Sequence, residues 1–147
     1  MNFFQFNNAF QKVNADRVIQ DSVLLTGDKA ILLNQEQLYR LSQDSDGRQL
    51  KPYSSGDYAE YKHSINPFLS TGQPDLRETG AFYDAFQVEV NSKTIKFDST
   101  DGKTAKLERK YSSKIFGLNK YNMAYFANQH VIPKIREELR VLTGFRF

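Results

Sequence analysis

The chain has 147 residues, a net charge of +3, 39% hydrophobic and 14% aromatic residues: the size of one domain, and too rich in rings for a disordered chain. It has no cysteine, which excludes disulfides, thiolate metal sites and a cysteine nucleophile. No apolar run of about 18 residues is present, so no membrane-spanning helix is expected, and the first residues lack the basic start and apolar stretch of a secretory signal.

The charge is unevenly placed. Residues 1–50 carry five Lys or Arg against six acids, residues 51–110 nine against nine, and residues 111–147 six against two. A basic C-terminal quarter fits helix C-terminus chemistry and ordinary solvation, or a face turned toward DNA or an acidic partner.

In chain order, a Phe-rich segment comes first (1–12). Phe3, Phe4, Phe6 and Phe10 stand among Asn and Gln, and are expected to dock on a neighbour. A helical stripe begins near Asn8 and includes Val13, Val18, Ile19, Val23 and Leu24. Gly27 suits a helix C′ position and Asp28 an N-cap, which predicts a second helix to Leu41 with Ile31, Leu32, Gln35, Leu38 and Tyr39 on one face. Residues 46–80 read as a long extended arm, rich in Tyr and turn residues, with a short helical turn over 57–62 capped by Ser55. The arm is expected to leave the domain and hold a neighbour, so that deleting Ser64–Gln73 spares the fold.

Alternation of Phe86, Val88 and Val90, then Ile95 and Phe97, with polar residues predicts a β-hairpin over about 84–98. A short helix or turn follows over 103–112, then the apolar knot Ile115-Phe116-Gly117-Leu118. A C-terminal helix starts at the cap Asn119 and is kinked near Pro133. The whole reads as one α+β domain, 1–147: N-terminal helices, a small antiparallel sheet, the arm and the kinked helix.

Chemistry is sparse. His63 and His130 lack a ligand partner at helical spacing. Asp44-Ser45-Asp46-Gly47 fails as a calcium loop, because Gln49 and Ser55 stand where Gly and Glu are required. Gly102-Lys103-Thr104 fails as a phosphate loop, because Phe97 stands at the first glycine. Asp75, Glu78, Asp98 and Asp101 each sit where a turn or cap wants an acid. No catalytic residue, metal site or cofactor is expected, and the chain is read as a non-enzyme. Lys103, Lys106 and Lys110 would share a helix face, either solvated or DNA-facing.

Three stretches carry a resemblance: Gly47, Leu50, Pro52, Tyr53 and Ser54; Tyr58, Ala59 and Lys62; Pro74, Asp75, Leu76, Thr79, Gly80 and Phe82. Followed by a hairpin and a closing helix, this order over about 35–142 resembles the small neck and tail-completion (virion morphogenesis) proteins of tailed bacteriophages. The resemblance implies a compact protomer of a ring homo-oligomer, a hexamer or dodecamer, at the head–tail junction of a virion assembled in the host cytoplasm. It implies portal, adaptor or tail proteins as neighbours, DNA passing through the lumen without sequence-specific binding, and no membrane. The Tyr-rich arm and Phe-rich start depart from that pattern.

The surplus aromatics Phe3, Phe4, Phe6, Tyr53, Tyr58, Tyr61, Phe68, Leu69 with them, Phe145 and Phe147 are the expected protomer or partner interface, since a ring needs two complementary faces. The alternative is a small DNA-binding accessory protein using the basic 103–110 segment and the basic C-terminus.

Overall fold

A computed structural model of the chain describes residues 3–91 and 93–146, with Phe3 by its backbone alone. Helix α1 (Phe3–Gln11) is followed by α2 (Ala15–Leu25), whose N-cap Asn14 accepts a hydrogen bond from the Arg17 N–H at 3.1 Å. Helix α3 (Gly27–Leu41) follows almost without a break. Thr26 is the joint, which puts Gly27 at the C′ position of α2 as expected, while the N-cap of α3 is Thr26 and not Asp28. It ends α2 and precedes α3, and its hydroxyl donates back to the Ser22 carbonyl at 2.7 Å.

Gly27 is the first residue of α3 because it lies against the hairpin. A Cβ there would stand 2.7 Å from the Val88 Cγ2, a distance that leaves room only for glycine. Ser42 ends α3 in the left-handed conformation, with its N–H turned back to the carbonyls of Gln37 and Leu38.

The expected apolar face of α3 is only partly right. Leu38 is fully buried, but Leu32 points outward at 51% exposure. The buried face runs through Ala30, Asn34, Gln37 and Leu38. Its amides grip the apolar knot. The Asn34 amide donates to the Ile115 carbonyl (3.0 Å) and its oxygen accepts from the Gly117 N–H (2.8 Å). The Gln37 oxygen accepts from the Asn119 N–H at 2.8 Å. Side-chain amides here satisfy loop backbone that would otherwise be buried without partners.

Strands β1 (Phe86–Val90) and β2 (Ile95–Ser99) pair antiparallel, Val88 opposite Phe97 and Glu89 opposite Lys96. One face is covered and the other wet, as the alternation requires. The turn is held by the Asn91 carboxamide, which accepts from the N–H groups of Lys93 (3.0 Å) and Thr94 (2.8 Å). After α6 (Thr104–Tyr111) and the knot, α7 (Lys120–Phe126) begins at Asn119, which caps the Asn122 N–H at 2.8 Å.

A π-helical turn, Ala127–Val131, joins α7 to α8 (Ile132–Thr143). Pro133 lies in the first turn of α8. Its ring lacks the N–H that a preceding carbonyl expects, and the widened turn absorbs the mismatch just before it.

The core is two clusters bridged by Phe116. One is built on Leu38, Phe82, Phe86 and Ile115, the other on Ala30, Phe97, Phe126 and Val131. Helix α8 contributes no buried residue and lies across α2. The fold is α+β, with α3 at its centre and the small hairpin against it.

Residues 46–80 are mostly loop around one helix, α4 (Gly56–Ile65), capped by Ser55 at 3.3 Å from the Tyr58 N–H. They do not leave the domain. Leu50 and Leu76 are members of the first core cluster, and Ala59 and Leu69 are buried. The short α5 (Ala81–Asp84) returns the chain to β1.

Candidate functional site

The arm is locked by a buried ion pair. Lys62 lies on the inner face of α4, one turn after Ala59, and its Nζ stands 2.8 Å from Asp75 Oδ1, with the two side chains only 5% and 3% exposed. The same ammonium donates to the Arg77 carbonyl. Asp75 is satisfied on every side. Oδ1 also accepts from the Arg77 N–H (2.9 Å) and Oδ2 from the Asn66 amide (2.9 Å), while its backbone carbonyl accepts the Tyr83 hydroxyl. Its backbone N–H donates to the Tyr53 hydroxyl oxygen at 3.4 Å. Multiple partners of this kind are what a buried charge requires.

This pair gives the sequence motifs a physical meaning. Ala59, Lys62, Pro74, Asp75 and Leu76 are all buried, and they converge where α4 meets the returning chain. Thr79 and Gly80 start α5. The Thr79 hydroxyl accepts from the Ala81 N–H (3.3 Å), and Gly80 has φ 91°, a conformation that favours glycine.

The interior lock overturns the expected dispensability of 64–73. Asn66 bonds both Asp75 and the Tyr39 carbonyl, and Leu69 is 5% exposed with its carbonyl 2.8 Å from His63 Nδ1. Removing that segment would open the core. Leu69 is likewise corrected from surface contact to core residue.

The other expected interface residues divide. On α4 and just beyond it, Tyr58, Tyr61, Ile65 and Phe68 form an exposed stripe, with Tyr61 58% and Phe68 57% open. Phe68 is backed by the Arg40 guanidinium, 4.6 Å from its ring centre. Tyr53 is half-buried and meets Tyr58 edge-on, ring centres 5.0 Å apart.

Phe6 and Phe145 do not both project. Phe6, Phe10 and Phe145 pack ring to ring at 4.7 to 6.0 Å, tying α1 to the end of α8. Phe4 is 76% exposed. The side chain of Phe3, and Phe147, lie outside the described residues.

Lys103, Lys106 and Lys110 do come together, on one wall of a cleft of about 300 Å³ between the arm and α6. Tyr53, Tyr58, Leu76 and Arg77 stand on the arm side, Leu107 and Tyr111 on the helix side. Lys103 is bound to Glu78 at 2.9 Å, which holds the Glu78 carboxyl below its usual range and raises the lysine. Burial, and then the charge of Asp75, push up the Tyr53 and Tyr111 phenols.

The four acids considered for catalysis each have a structural task. Asp75 holds Lys62, Glu78 holds Lys103, Asp98 accepts from the Ser99 N–H (2.8 Å) and Asp101 from the Lys103 N–H (2.9 Å). Asp44 Oδ1 accepts from the N–H groups of Asp46 and Arg48, both at 2.9 Å, so 44–47 is an acidic turn. Among the described residues no group of three His, Asp or Glu is placed to hold a metal, and no helix is long and apolar enough to cross a membrane.

Sequence reasoning missed the Lys62–Asp75 pair and the Asn34–Gln37 grip on the knot. The first had a signal: Ala59 and Lys62 are one turn apart on a short helix, so an inward Ala carries the Lys inward too. Comparison with protein-family models, curated proteins and solved structures gives no match.

Proposed function

We propose that the chain is a structural virion protein, a subunit of an oligomeric ring in the neck or tail-completion layer of a tailed bacteriophage. It acts by assembly with itself and with portal, adaptor or tail proteins around a DNA channel, and not by catalysis. The observation that carries this reading is the stripe of Tyr58, Tyr61, Ile65 and Phe68. Large side chains stand open on α4 and, for Phe68, just beyond it, while the other face of the helix is locked to the core by Lys62 and Asp75. A rigidly held aromatic surface loses little entropy on binding and suits a permanent partner. The motif order that resembles neck proteins points the same way, because its buried members build the platform that presents this stripe.

The test is the mass of the protein by light scattering and its shape by electron microscopy, alone and mixed with portal and tail proteins of a tailed bacteriophage. A closed ring in either case is expected. A monomer in both would overturn the proposal.

A further inference from the structure

We propose that the cleft between the arm and α6 is a docking site for an acidic peptide segment that carries one aromatic side chain, supplied by a partner protein. At about 300 Å³ the cleft is at the small end of ligand sites and has room for a large side chain with some flanking backbone. Its walls are apolar where Leu76, Phe82 and Leu107 line it.

Three tyrosine hydroxyls stand among its polar groups. Among the described residues the Tyr58 and Tyr111 hydroxyls make no hydrogen bond, and the Tyr53 hydroxyl accepts one from the Asp75 N–H and keeps its proton to give. All three tyrosines line the cleft.

Charge selects the sign of the occupant. Five cations line the cleft against the two carboxylates of Asp75 and Glu78. Those carboxylates are ion-paired with Lys62 and Lys103, and Arg77, Lys106 and Lys110 form no salt bridge among the described residues, so the cleft keeps an excess of positive charge; Arg77 lies over the Tyr39 ring and Lys110 over that of Tyr111. An apolar floor with an excess of cations and tyrosine hydroxyls around it fits a ring flanked by carboxylates.

A single-stranded nucleic acid fits less well. It needs open ring faces in a row for its bases. Here Tyr111 is 9% exposed, Tyr53 is half-buried, and Tyr58 stands at 83° to Tyr53. That the segment belongs to an assembly partner rests on the assembly reading above; the recognition chemistry does not.

The experiment is an amide-shift titration of ¹⁵N-labelled protein. One probe is the peptide acetyl-Glu-Asp-Phe-Asp-Glu-amide, a second has Ala in place of Phe, and a third is hexathymidylate, all at about 150 mM salt. The Phe peptide should give saturable shifts at Ser54, Thr79, Leu107 and Tyr111. The Ala peptide should bind at least about tenfold more weakly. The double variant K106E/K110E, both positions exposed, should lose the binding and keep its thermal midpoint within a few degrees, the shift coming from the lost contact of Lys110 with the Tyr111 ring.

The proposal is overturned by no saturable shift at millimolar peptide, by equal binding of the Ala peptide, by unchanged binding in the double variant, or by tighter binding of hexathymidylate at the same amides. Shifts at these amides that follow protein concentration alone would assign the cleft to a second copy and overturn it too. The titration reads the single chain, so failure to form a ring leaves its outcome unaffected.

Discussion

Lys62 and Asp75 decide whether residues 46–80 belong to the domain. Each side chain is almost without solvent, so neither charge has water to fall back on if the other is removed. Lys62→Met should therefore cost about 3–5 kcal/mol in urea denaturation, because it strands the carboxylate. Asp75→Asn should cost about as much, because it strands the Lys62 ammonium and sets an amide NH2 against that of Asn66. Equal, small losses from both would show that the pair is not what holds the arm.

Tyr83 adds a pH-dependent component to the same lock. Its hydroxyl donates to the Asp75 carbonyl, and burial, then the Asp75 charge, raise its pKa well above the ordinary phenol value of 10.0. Tyr53 is raised for the same reasons. In the unfolded chain both phenols ionise near 10, while the folded chain keeps their protons. The folded state then binds more protons than the unfolded one, so their stabilising contribution is complete below about pH 10 and is lost as pH rises beyond it. Stability measured by urea denaturation should fall with pH in that range, and Tyr83→Phe should flatten the fall while costing about 1 kcal/mol at neutral pH. A slope unchanged by the substitution would remove Tyr83 from this account.

At the level of elements, the glycine with least room for a side chain is Gly27, where the first turn of α3 meets the hairpin. Gly27→Ala would drive a methyl into Val88, a β-branched side chain that has little freedom to move aside. A loss of about 1–3 kcal/mol is expected. Val88→Ala in the same chain should recover part of it, and non-additivity in the double-mutant cycle is the measurement.

This contact also shows what the sequence could and could not convey. The hairpin was legible because period-two alternation is written directly in Phe86, Val88, Val90, Ile95 and Phe97. Gly27 looked like a helix end because a glycine after an apolar stripe usually is one; that it faces Val88, 61 positions on, is a tertiary fact. The inner face of α3 was hidden for a related reason. It is built from Ala30, Asn34 and Gln37, and an apolar count passes over amides whose partners are loop carbonyls and N–H groups about 80 residues away. The arm's tyrosines were visible, but not which of them would be covered, since the buried charge of Lys62 reads in sequence as a surface lysine.

For the molecule as a whole, the arm is both part of the core and part of the surface, and the two roles fall on adjacent residues. Leu69 is inside and Phe68 outside; Lys62 is inside and Tyr61 outside. Substitutions one position apart should then separate folding from assembly. Leu69→Ala removes buried methyl groups and should cost about 2–5 kcal/mol of monomer stability. The pair Y61S/F68S removes exposed rings. Its cost to the monomer is about 1–2 kcal/mol, from the contacts of Phe68 with Arg40 and Tyr39 and of Tyr61 with Tyr58, whereas a hot-spot aromatic is worth about 2 kcal/mol or more to an interface. In sedimentation and thermal unfolding run side by side, Y61S/F68S should keep its melting midpoint within a few degrees and lose the assembled species. Leu69→Ala should melt earlier, yet still assemble at temperatures where it is folded. If Y61S/F68S assembles like the parent chain, the stripe is not the interface. The ring would then have to be built on the other open aromatics, first among them Phe4 near the start of α1 and Tyr121 on α7.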